Sequence, residues 1–169
     1  MTFSNVILVL AATCTALMAG LFYSYSCSVV LGLGALPARG YIEAMQSINR
    51  SIQNPVFFIG FFGTFLLLPI SAYLNYSQLI SSRFWLLLIA AIIYAIGVIG
   101  VTAFGNVPLN NALEKFNLLN ATKENITLQR TIFETRWNNL NTIRTISSLL
   151  ALVLVIVACM SANKNQLAS

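Results

Sequence analysis

Four apolar runs, at about 5–30, 55–74, 85–104 and 143–160, constrain this chain more than any other feature. Each suits the roughly 20 residues that a helix needs to cross a hydrocarbon core. A helix satisfies its backbone N–H and C=O groups internally, which lipid demands. Only 8% of the 169 residues are charged and 58% are hydrophobic. A soluble domain carries about 25% charged residues. The fold class is therefore all-α: an integral membrane four-helix bundle forming a single membrane domain, 1–169, with two amphipathic helical excursions on one side. Each run crosses once, so both excursions emerge at the same end.

The first excursion opens with a Gly- and Pro-containing turn at Leu31–Gly40. Tyr41 to Gln53 then reads as an amphipathic helix with Ile42, Met45, Ile48 and Ile52 on one face. Asn54-Pro55 ends it, because the residue before proline avoids helical geometry. The second excursion reads as a helix from Leu109 to about Asn120, a loop to Asn125, and a helix from Thr127 that runs into the last span. Gly20, Ser24 and Ser28 form a small-residue stripe that permits close helix approach, as do Gly97 and Gly100. Phe57, Phe58, Phe61, Phe62 and Phe65 read as packing bulk, and Pro69 as a kink.

The chain has nine Lys and Arg, four Glu, no Asp and no His. The basic residues are scattered, which argues against a nucleic-acid partner and for membrane lipid. Cys14, Cys27 and Cys159 lie in apolar runs at no metal-binding spacing, so the expected cofactor is none and the metal ligands none. The first run is too long, and lacks the charged lead, for a cleaved signal peptide. The protein is expected to be multi-pass, in a bacterial inner membrane. Arg39, Arg50, Lys115, Lys123, Arg130, Arg136 and Arg144 lie on the excursion side, against Arg83 and Lys164 on the other, which favours cytoplasmic excursions.

The stretch Arg136 to Thr145 enters the last span. In a helix Trp137, Asn141, Arg144 and Ser148 share one face. An arginine and an asparagine are costly in a membrane helix unless they face the bundle interior, a wet cavity or the interface. That face is the candidate site.

Three pieces carry a family resemblance: Gly20-Leu21-Phe22-Tyr23; Ala44 to Pro55 with Phe57 and Gly63; and Thr102 with Asn106-Val107-Pro108-Leu109-Asn110-Asn111-Ala112-Leu113, followed by Trp137, Asn141, Arg144 and Thr145. Together they resemble the anthrone-oxygenase-like family of small four-span membrane proteins. The resemblance implies a four-helix membrane bundle. It also implies oxidation of a flat hydrophobic aromatic by dioxygen without metal or organic cofactor. Its matching positions are Asn49, Asn54, Asn106, Pro108, Asn110, Trp137, Asn141 and Arg144.

Such an oxidation removes a proton and stabilises an oxyanion away from bulk water. Arg144 and the amides of Asn49, Asn106, Asn110 and Asn141 are the candidate donors, and Trp137 a stacking platform. Asn54 completes the candidate binding set. Glu43 and Glu114, beside the matching segments, are the candidate bases, with pairing to Arg39 and Lys115 as the alternative. Two other functions stay open. A non-enzymatic binder or carrier of a small hydrophobic molecule predicts a similar pocket with no carboxylate near it. A structural or partner-binding protein predicts no cavity and an exposed Gly20/Ser24/Ser28 groove.

Overall fold

The structure, a computed structural model, describes residues 2–76 and 81–161. It contains five helices and, among the described residues, no strand. They are α1 (Phe3–Gly34), α2 (Ala38–Ser51), α3 (Pro55–Leu74), α4 (Ser82–Glu114) and α5 (Lys123–Met160). All but α2 are long and apolar enough to cross a membrane. The expected tail from Ser161 and the turn between α3 and α4 lie partly outside the described residues, as does Lys164.

Around the bundle, α1 packs on α3 and α5, and α4 packs on α3 and α5. Lipid tails are as apolar as leucine, so close packing rather than water exclusion joins such helices. Gly97 shows the requirement. A Cβ there would collide with the Ser147 side chain, so only glycine lets α4 approach α5. Gly20, Ser24 and Ser28 instead face outward, and a Cβ on Gly20 would meet nothing.

Four of the five helices start where the sequence supplies a side-chain cap; α2 starts after Pro37 without one. Thr2, Asn54, Ser81 and Thr122 accept a backbone N–H at the starts of α1, α3, α4 and α5. Several boundaries differ from the sequence reading. The expected turn at Leu31–Gly40 is helical to Gly34 and breaks only at Ala35–Pro37. Gly34 keeps ordinary helical geometry, since no glycine among the described residues has positive φ. The helix expected separately at Leu109–Asn120 is the end of α4 and stops at Glu114. Pro108 allows this because it sits in the first turn of that segment, after the π-helical stretch Thr102–Asn106. Two further π-helical stretches lie at Tyr25–Val29 in α1 and Ala95–Gly100 in α4.

The excursions form a second core outside the spans. Tyr41, Ile42 and Met45 of α2 are buried against Leu113, Leu118, Ile126, Phe133 and Trp137. Ile48 and Ile52, expected on the same face, are half-buried. Gln46 Nε2 donates to the carbonyls of Leu113 (2.8 Å) and Phe116 (3.2 Å), which satisfies orphan carbonyls at the end of α4. Arg130 donates to the carbonyls of Leu36 (2.6 Å) and Gly34 (2.8 Å), and so ties α5 to the turn before α2.

Candidate functional site

A cavity of about 550 Å³ lies where α2 meets the excursion ends of α1, α3, α4 and α5. That is within the range of small-molecule sites. One wall is α5, with Trp137, Asn141 and Arg144. All three are buried, as is Ser148 one turn further on. The uninterrupted α-helical period of α5 puts them on the predicted face. Facing walls carry Phe22 and Tyr25 of α1, Asn49 of α2, Phe57, Phe58, Phe61 and Phe62 of α3, and Thr102, Asn106 and Asn110 of α4.

A polar chain holds the α5 wall in place. Asn141 Nδ2 donates to Ser26 Oγ at 2.9 Å, and Ser26 Oγ meets Thr145 Oγ1 at 2.8 Å. Asn141 Oδ1 accepts from Arg144 Nη2 at 2.8 Å. The Trp137 indole N–H donates to Asn110 Oδ1 at 2.8 Å, and its ring lies 4.9 Å from that of Tyr25. The Tyr25 hydroxyl donates to Met45 Sδ at 3.1 Å.

Arg144 is the one charged residue of the lining. Its guanidinium lies 4.8 Å from the Phe22 ring centre and 5.2 Å from that of Trp137. Such contacts are worth about 2 kcal/mol when desolvated. A further contact, to Thr102 Oγ1, is long at 3.5 Å. Among the described residues Nε has no partner, nor has Asn49 Nδ2 or either amide atom of Asn106. Unsatisfied buried polar atoms cost roughly 1–3 kcal/mol each, so this group of them around one cavity calls for polar partners inside it, water or a ligand.

Six of the nine candidate site residues thus meet: Arg144, Asn141, Trp137, Asn49, Asn106 and Asn110. The other three lie elsewhere. Asn54 caps α3, accepting from Phe57 N at 3.0 Å and donating to Ser51 O at 2.9 Å. Glu43 pairs with Arg39 at 3.0 Å, and Glu114 with Arg50 at 2.7 Å, on the exposed surface. Neither glutamate lines the cavity, and the partner of Glu114 is Arg50 rather than the expected Lys115. Among the described residues the lining contains no His, Cys, Asp or Glu.

The phenylalanines read as packing bulk do pack, with Phe61 in the core, Phe57 against it and Phe58 and Phe62 exposed, and these four also form cavity wall. Tyr25, Phe22, Ser26 and Thr102 also belong to the site and were not singled out for it. Tyr25 and Thr102 open π-helical stretches, which shift the helical phase and are frequent at functional sites. No local sequence signal marks such a shift.

The fold and the site define a four-span membrane protein with an aromatic-walled, cationic cavity at one end of its bundle. The sequence model of the family described as anthrone oxygenase matches residues 56–154. The chain belongs to that family. No curated protein and no solved structure matches it.

Proposed function

We propose that this protein is a cofactor-independent oxygenase of anthrone type, acting on a flat hydrophobic aromatic with dioxygen in a bacterial inner membrane. The observation that carries the reading is Arg144, a buried cation with no carboxylate beside it, set among aromatic rings. A tricyclic anthrone loses a benzylic proton to give an enolate whose charge rests on oxygen. Arg144 donates to that oxygen, with the free amide of Asn106 as a further donor. Tyr25 and Trp137 face the flat rings. The proton leaves to water at the polar lip formed by Gln53 and Asn111. Dioxygen accepts the carbanion's electrons and bonds to that carbon; the peroxide anion takes back a proton from water, and the hydroperoxide then loses water. One anthrone and one dioxygen become one anthraquinone and one water.

The test is dioxygen uptake by detergent-purified, metal-stripped protein given a simple anthrone, beside Arg144→Ala. Turnover in the wild type that the variant lacks supports the reading. No wild-type turnover rejects it.

The cavity without a lining carboxylate also favours a second reading, a binder or carrier of a small hydrophobic anion. It predicts the same ligand affinity with no dioxygen uptake. A purely structural role predicts the exposed Gly20/Ser24/Ser28 stripe that the fold has, but also predicts no cavity, and so fits less well.

A further inference from the structure

The cavity has a side opening. Helix α3 packs on Ser82–Tyr94 of α4 but extends no comparable packing to Thr102–Glu114. The two helices therefore part toward the excursion end, and the cavity fills the gap. Residues on both edges of that gap line the cavity and are also exposed: Phe58 (40%) and Phe62 (47%) on α3, Ala103 and Val107 (41%) on α4. All belong to helices apolar enough to lie in lipid. At the excursion end the same gap is edged by Gln53 and Asn111, both exposed and polar. An aqueous pocket would reverse this arrangement, with polar edges along most of its mouth.

From these observations we infer that the cavity takes its ligand sideways from the bilayer, through the gap between α3 and the Thr102–Glu114 part of α4. The ligand class is an amphipathic anion with a flat apolar body. The apolar edges admit rings already dissolved among acyl chains. The polar edges at the interface let the charged end pass without full dehydration. Arg144 then supplies the positive charge, which no side chain among the described residues neutralises. The proposal rests on the ligand-site part of the functional reading and not on the reaction with dioxygen.

The experiment follows uptake of 9-anthracenecarboxylate, which has no benzylic hydrogen to lose. The full chain is placed in phosphatidylcholine vesicles with Trp85→Phe, leaving Trp137 the only tryptophan of the original two. The part of the Trp137 energy transfer that Arg144→Met abolishes reports arrival in the cavity, since transfer also reaches probe in the surrounding lipid. Its rate should follow the amount of probe in the membrane rather than in the buffer. Ala103→Phe, which narrows the apolar edge, should slow arrival by about tenfold, within the range seen among variants of one binding site. Val107→Phe is a second variant of the same edge should the first fail to fold. Gln53→Phe, at the polar edge, should slow arrival less. Equal slowing by both edges, slowing by Gln53→Phe alone, slowing by neither, or no transfer at all would overturn the proposal. Transfer in a protein that consumes no dioxygen would reject the oxygenase reading and leave the side entrance standing.

Discussion

Arg83 and Arg144 are buried at opposite ends of the same bundle, and the protein treats them in opposite ways. Arg83 Nε donates to the Ala158 carbonyl at 2.9 Å, and Nη2 donates to the Ser161 carbonyl. It thereby closes the C-terminus of α5, where orphan carbonyls gather the negative end of the helix dipole. Arg144 has one close acceptor, Asn141 Oδ1, two ring faces and an idle Nε. The first arginine completes the backbone. The second lines the cavity with donor capacity unused by the protein. A buried charge therefore has to be read by its partners rather than its depth, since both are similarly hidden.

Crossed substitutions would break the comparison most directly. Arg144→Met should lower turnover at least about 100-fold, the loss typical of one oxyanion donor. Its thermal stability in detergent should match or exceed the wild type, because an unpaired buried charge is removed. Arg83→Met should do the reverse, keeping turnover while costing about 1–3 kcal/mol in chemical unfolding through unpaired carbonyls. If both variants lose stability and both keep turnover, the distinction fails.

A smaller change sharpens the same contrast. Asn141→Asp keeps the side chain's shape and gives Arg144 an internal counter-ion. Probe binding should weaken by about tenfold or more, the equivalent of one charge-assisted hydrogen bond. Stability should not fall. Unaltered affinity for 9-anthracenecarboxylate would show that Arg144's charge is not what holds the ligand.

The smallest effect concerns the excursion core, which must stay closed over the Arg144 end. Tyr41 is buried there, and that burial, with Glu134 nearby adding to it, pushes its phenol above the usual range. A raised folded value means the stabilisation is fully present below the unfolded phenol value of about 10 and is lost as pH rises beyond it. Melting scans from pH 8 to 11 should show a decline at the top of that range. Tyr41→Phe should flatten it, and an identical decline in that variant would assign the effect to another group.

The fold was open to reading because the four apolar runs are long and lipid leaves few alternatives. The α5 wall was open for a related reason: an unbroken α-helix keeps its period, so Trp137, Asn141 and Arg144 could be placed together from spacing alone. Helix α4 resisted the same method. Its π-helical stretches at Ala95–Gly100 and Thr102–Asn106 break the period just before the site, so neither the unbroken rod nor the setting of Thr102 could be counted out from residue spacing. Glu43 and Glu114 mislead through sequence proximity. Each sits beside site segments in the chain, yet turns to an arginine on the surface. The phenylalanines of α3 carry no mark separating a ring that faces lipid from one that walls a cavity.

Helix α5 makes the site answerable to membrane thickness. At 1.5 Å per residue its 38 residues extend about 57 Å, while the hydrocarbon layer is about 30 Å deep. Measured from Met160, Arg144 lies about 24 Å along the rod and Trp137 about 34 Å. With Met160 set at one face of the hydrocarbon and α5 along its normal, the other face falls between the charge and the indole. A thicker bilayer draws Arg144 deeper and a thinner one lifts it toward the headgroups, so lipid chain length adjusts the cavity's polarity without touching a residue.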